Sequence, residues 1–238
     1  MPLPKISTPT YELVIPSSKK TIKYRPFLVK EEKVLIIAQE SQDSKQITDA
    51  VKTVITNCII TRGVKVDDLA TFDIEYLFLN IRGKSVGETV DVLITCPDDE
   101  VTKVPVSINL EDIRVEVDKN HIRDIKLDET LILRMRYPSM KEFIKTNFMG
   151  EDLSIDDTFN LICSCIDQVY NEEESWASSD CTKKELSEFI EQLSSKQFKE
   201  VEKFFQTMPK LSYKLKIKNP NTNVESEVVL EGLTSFFA

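Results

Sequence analysis

Side chains able to do chemistry are few in this chain, and they are spaced poorly for it. One histidine, His121, stands among 238 residues. A metal motif built on two imidazoles is therefore excluded, and any Ser or Cys nucleophile would have to find this one base. His121 sits in Asp118-Lys119-Asn120-His121-Ile122, a polar stretch that reads as a solvent-exposed connector rather than the setting of a general base. No phosphate-binding loop, dinucleotide fingerprint or nucleophile elbow is present.

The carboxylates and thiols carry no better pattern. Asp98-Asp99-Glu100 and Asp156-Asp157 lack the alternating oxygens and glycine turn of a calcium loop. The first reads as turn chemistry, the second as an acidic first helical turn, and Glu172-Glu173-Glu174 as a solvated connector. A metal-dependent hydrolase using Asp98 and Glu100 is the enzymatic alternative, and it would need a concave site that gathers both acids. Cys163 and Cys165 are two residues apart, so on a helix they point to opposed sides; with Cys181 they fall short of a four-ligand zinc set. Buried apolar cysteine is the simpler reading. Cys96-Pro97 and Asn219-Pro220 are more suggestive, because both sit where a hairpin turns. They look like zinc-ribbon knuckles that have lost their ligands: Asp98-Asp99 and Asn221-Thr222 stand where a second cysteine belongs. No bound zinc and no other cofactor is expected.

Composition narrows the class. A net charge of −9 opposes binding to a phosphate backbone, which needs clustered Lys and Arg. The densest basic group, Lys19-Lys20 with Lys23 and Arg25, reads as a solvated hairpin face. Five cysteines, an odd number without regular spacing, suit a reducing cytoplasm better than an oxidised framework. The start of the chain lacks the apolar core of a secretory signal, and no apolar run reaches the ~20 residues that span a bilayer. Only 5 Gly leave no Gly-rich linker.

These observations exclude much and predict an α+β fold. Tyr11–Ile15 and Thr21–Arg25, closed by Pro16 and Pro26, read as a strand pair around Ser17-Ser18-Lys19-Lys20. Helical periodicity starts at Lys30, recurs over Ile47–Ile59, and begins again near Asp67-Asp68, ending at Gly83. A hairpin follows, Val90–Thr95 returning through Val104 to Ile108. The second half reads similarly: a strand at Leu131–Tyr137 closed by Pro138, helices over Asp156–Tyr170, Lys183–Leu193 and Lys196–Thr207, then a hairpin from Tyr213–Ile217 through Val228 to Leu230. Setting Pro97 against Pro220 aligns the late hairpins without gaps, pairing Ile94 with Ile217, Val101 with Val224 and Val106 with Val229. The expectation is two related units, residues 1–116 and 117–238, each a strand pair, amphipathic helices and a hairpin with a degenerate knuckle-like turn.

Three segments resemble a known family. Tyr24-Arg25-Pro26-Phe27-Leu28-Val29-Lys30-Glu31-Glu32-Lys33, the run from Phe72 to Gly87, and Leu230-Glu231-Gly232-Leu233 with Phe236-Phe237 are similar to signatures of the baseplate hub proteins of T-even-type contractile-tail bacteriophages. Met140–Leu211 carries little of the signature. The resemblance implies a structural component of the central hub, without catalytic residues, acting through contacts with other hub or tail proteins, the tape measure protein among them. It implies residence in the virion tail baseplate, or in the cytoplasm of the infected bacterium during assembly. The alternative is a transient assembly chaperone, absent from the mature particle. Some relatives carry cysteine pairs at the two hairpin turns, and this chain departs there. No role in nucleic-acid or membrane binding is implied. Leu233, Phe236 and Phe237 either cap the second unit or dock on a neighbour.

Overall fold

In the computed structural model, which describes residues 6–41, 43–140 and 155–232, the chain is α+β and divides into two units. The first joins residues 1–116 to 210–238, and the second is 117–209. Strands β1 (Tyr11–Val14) and β2 (Thr21–Tyr24) pair antiparallel, with Tyr11 opposite Tyr24. Ile22 and Tyr24 are buried while Thr21 and Lys23 are exposed, the period of two expected of a half-buried strand. The turn between them is held from a distance. Asp73 accepts hydrogen bonds from the Ser17 backbone N–H at 2.9 Å and from the Ser17 hydroxyl. Burial raises the Asp73 pKa, and the Ser17 hydrogen bonds oppose that rise.

Helix α1 (Val29–Ser41) packs against α2 (Ser44–Cys58), whose N-terminus is capped by Asp43 accepting from the Lys45 and Gln46 amides. The acidic pair Asp67-Asp68 does not open the next helix. Val66–Asp68 forms a short 3-10 turn, and α3 (Thr71–Val86) starts beyond it. Nor does α3 stop at Gly83. Phe72, Asp73, Ile74, Leu77, Phe78, Leu79, Ile81 and Gly83 are all buried, so tertiary packing carries the helix through the glycine. A Cβ at Gly83 would meet Leu110 at 3.8 Å, ordinary van der Waals contact. Gly83→Ala should therefore stabilise the chain by about 0.5–1 kcal/mol through helix propensity. A lowered urea midpoint would show instead that the glycine provides necessary room.

After α3 come β3 (Thr89–Thr95) and β4 (Lys103–Asn109), an antiparallel hairpin, then the short β5 (Arg114–Glu116). The second unit follows. Its sheet, in the order β6-β7-β8-β9, is built from Asp124–Lys126, Ile132–Met135, Ile166–Tyr170 and Ser175–Ala177. Helices α4 (Ile155–Ser164), α5 (Lys183–Glu191) and α6 (Ser195–Gln206) belong to the same unit, and α5 and α6 each start with a reciprocal capping box, Thr182 with Glu185 and Ser194 with Gln197. The single helix expected over Asp156–Tyr170 ends at Ser164. Ile166–Tyr170 pairs with β7 instead, its β-branched and aromatic residues filling a ladder position. Ile125, Leu133, Met135, Ile162, Cys165, Val169, Ile190, Val201 and Phe204 form the core.

Both units open alike. The Arg25 N–H donates to the Cys58 carbonyl at 3.0 Å, and the Arg136 N–H donates to the Cys165 carbonyl at 2.7 Å. In each case the chain leaving a helix returns beside the strand that preceded it, Ile59 opposite Tyr24 and Ile166 opposite Met135.

The chain then re-enters the first unit through β10 (Lys210–Lys218) and β11 (Glu225–Glu231). β10 lies between β11 and β5, with Leu211 opposite Val115 and Lys210 opposite Glu116. The terminal hairpin thus joins residues 1–116, where the sequence placed it in a unit running 117–238. The reason is apolar burial. Leu211 and Ile217 lie in one core with Leu79, Val92, Ile94, Cys96, Ile108, Leu110 and Ile113, a long-range association that local patterning does not encode.

Candidate functional site

The folding-back of β10 and β11 brings together the two turns that resemble vacant knuckles. Both turn backbones have the same start: Glu100 N–H donates to the Cys96 carbonyl, and Asn223 N–H to the Asn219 carbonyl, each at 2.9 Å. Glu100 (φ 57°) and Asn223 (φ 63°) occupy the left-handed region at equivalent positions. Beyond that residue the hairpins diverge. Thr95 pairs with Lys103, but Lys218 pairs with Glu225, so the second turn is one residue shorter. Val106 therefore corresponds to Val228, which faces the core, and not to Val229, which is 44% exposed. The gapless alignment slips at this point, and a slip of one residue exchanges the two faces of a strand.

Polar side chains fasten the turns to each other. The Asn219 amide, 1% exposed, donates to both Asp98 carboxylate oxygens at 3.1 and 3.0 Å and to Asp99 at 2.9 Å. Its own oxygen accepts from the Asn221 amide at 2.9 Å. Thr222 donates its hydroxyl to Asp98, and the Asn221 side chain donates to the Thr102 hydroxyl at 2.9 Å. Asp99 also accepts from the Val101 and Thr102 amides. The turn chemistry read for Asp98-Asp99 is present for Asp99, whereas Asp98 reaches across to the other turn. Hydrogen bonds from Thr222 and Asn219 lower the Asp98 pKa, and bonds led by Thr102 lower that of Asp99 further.

These side chains do not fit a zinc ion. The four knuckle positions hold one thiol, Cys96, with Asp99, Asn219 and Thr222. Burial, aided by the neighbouring Asp98 and Asp99 charges, pushes the thiol away from the thiolate form a zinc ligand needs. Among the described residues no group of three or more His, Cys, Asp or Glu is placed to hold a metal. The cluster instead does mechanically what a metal does in a ribbon: it ties one hairpin end to the other. Asn219→Ala is expected to cost about 1–3 kcal/mol, because it strands carboxylate acceptors and two turn amides together. Both Asp pKa values are depressed, so their contribution is complete above the unfolded value of ~3.9 and is lost as the pH falls through the folded values. Urea titrations of wild type and Asn219→Ala should draw closer in acid, leaving the part due to the two turn amides; parallel curves down to the acid limit would refute the tie.

The other residues singled out have different placements. Cys58, Cys96, Cys163 and Cys165 are buried thiols and Cys181 is half-buried. Leu233, Phe236 and Phe237 lie outside the described residues. Arg25 is not part of a solvated basic face. Its guanidinium contacts Glu31 at 2.9 and 3.5 Å, with Glu31 1% exposed. The Leu28 amide and Lys30 also reach that carboxylate, at 2.9 and 3.3 Å. Burial opposes the Glu31 charge, but these bonds outweigh it and hold the carboxyl below its usual range. The sequence contained both charges within one signature segment, among Lys30, Glu32 and Lys33, without showing which of them meet.

His121 corrects a second expectation. It is not a free connector residue but is stacked on Tyr137 and packed against Phe204, at ring separations of 5.6 and 5.2 Å. Thr207 gives its hydroxyl proton to the Lys203 carbonyl, so it accepts from His121 Nδ1 at 3.0 Å; Nε2 is then left to accept from the Tyr137 hydroxyl at 3.1 Å. Burial and then Arg123 lower the His121 pKa, favouring this neutral tautomer. The imidazole anchors the entry and exit segments of the second unit.

The signature segments converge as well. The Phe27 N–H, in the first, donates to the Ser85 hydroxyl, in the second, at 2.9 Å. No helix among the described residues is long and apolar enough to cross a membrane. Comparison with curated proteins and with solved structures gives no match. A family model described as T4 bacteriophage base plate protein matches residues 8–238, nearly the whole chain. A match of that extent settles the family: the chain belongs to the T4-type bacteriophage base plate proteins, structural components of the phage tail.

Proposed function

We propose that this base plate protein is a structural subunit of the central hub, needed for baseplate and tail assembly through contacts with other hub or tail proteins, the tape measure protein among them. What carries the reading is how the polar side chains are used. Arg25 with Glu31, Ser17 with Asp73, the Asp98–Asn219 turns and His121 each hold one chain segment to another. Apolar side chains at Leu28, Val29, Ile36 and Ile37 meanwhile stay exposed, as a protein that works by association requires. Mass spectrometry of purified mature particles tests the proposal. A permanent hub subunit is present at fixed stoichiometry with the other baseplate proteins. Its absence from particles, with accumulation in infected cells, would replace this reading with that of a transient assembly chaperone. A tagged chain recovered from infected cells should carry hub or tape measure proteins with it.

A further inference from the structure

Helix α1 has two apolar faces, and only one is covered. Glu31, Leu35 and Ala38 form the inner face, with Glu31 and Ala38 buried. On the opposite side Val29, Lys33, Ile36, Ile37 and Glu40 follow one another at helical spacing and make a single stripe. Val29 is 79% exposed, Ile36 49% and Ile37 55%, and Lys33 and Glu40 are also exposed. A helix face facing only water would gain nothing from two adjacent isoleucines at its centre.

The charges on this stripe indicate what covers it. Lys33 and Glu40 lie equally far on either side of the Ile36–Ile37 step. Among the described residues neither has an ion-pair partner within its own chain. Turned end over end, the stripe complements itself: Lys33 lies opposite Glu40, Ile36 opposite Ile37, and Glu40 opposite Lys33. We propose that α1 pairs antiparallel with α1 of a second copy of this chain, the isoleucines forming the central layer and two Lys33–Glu40 ion pairs flanking it. A parallel arrangement would bring like charges together, so the same residues set the orientation. The contact is isologous, as a two-fold dimer requires. One helix stripe buries less than the ~1,200 Å² of a stable interface, so the free dimer is weak, with a dissociation constant of about 10–100 μM. The pairing is independent of whether the protein remains in the mature hub.

Sedimentation equilibrium of the full chain at near-physiological salt tests this with three variants. Lys33→Glu sets two carboxylates against each other at both ends of the isoleucine layer, and Glu40→Lys sets two ammonium groups against each other at the same places. Each should weaken dimerisation at least about tenfold. The doubly exchanged chain, Lys33→Glu with Glu40→Lys, should recover it. An equimolar mixture of the two single variants should also dimerise, because each then meets its opposite. All positions are exposed, and unchanged far-UV circular dichroism will show that folding is intact. A wild-type chain that stays monomeric throughout the concentration range overturns the proposal, including the case in which another baseplate protein covers the stripe. So does a dimer insensitive to both exchanges, or a mixture no stronger than its components.

Discussion

Glu31→Ala is expected to destabilise the first unit by about 3–5 kcal/mol, the cost of leaving the Arg25 guanidinium buried without its partner. The size of the effect comes from what remains, not from the worth of the pair itself. Arg25 has 17% of its side chain exposed and, among the described residues, would keep the Pro26 carbonyl and a long contact with the Cys58 sulfur. The Leu28 amide would lose its acceptor at the start of α1. Glu31→Gln retains an acceptor for that amide and should lose less, so the alanine and glutamine variants separate the charge from the cap. The wild-type contribution is present above the unfolded Glu value near ~4.3 and disappears as the pH falls through the depressed folded value. Urea unfolding followed by far-UV circular dichroism provides the measurement. A midpoint within ~0.5 kcal/mol of wild type would mean that water reaches the pair and solvates it.

Phe204→Ala should cost about 3–5 kcal/mol in the second unit. The ring is 2% exposed, stacked on Tyr137 at 5.8 Å and edge-on to Phe205 at 5.1 Å. It also forms one wall around His121, so its removal opens a cavity beside a polar chain running from Tyr137 through His121 to Thr207. The only tryptophan, Trp176, lies in β9 of this same unit. Its fluorescence transition should move strongly in Phe204→Ala and little in Glu31→Ala, if the two units unfold separately. Equal shifts of the fluorescence transition in both variants would show one cooperative body instead.

The local plan was legible wherever one side-chain period covered an element. Ile22 and Tyr24 alternate with Thr21 and Lys23, the period read for the strand at Thr21–Arg25. What could not be read is where local preference and tertiary contact compete. Gly83 signals a helix end, yet burial on all sides carries α3 past it. Ile166–Tyr170 continues a helical apolar pattern and becomes a strand because β7 offers a free edge. The turns at Cys96 and Asn219 were recognisable as a related pair, but nothing near either one indicates that the two meet. That Asp98 serves Asn219 rather than its own turn depends on contacts more than 100 residues apart in sequence. The single misplaced register past Glu100 and Asn223 shows how little local sequence constrains turn length.

The pairing of β5 with β10 also sets an order in time. A ribosome working from the N-terminus delivers residues 117–209 whole while the first unit still lacks its last two strands. During that interval the inner faces of β3 and β4, with Val92, Ile94 and Ile108, have no Leu211 or Ile217 to cover them. The segment translated first is therefore the one completed last, and it cannot close until β10 and β11 have been made.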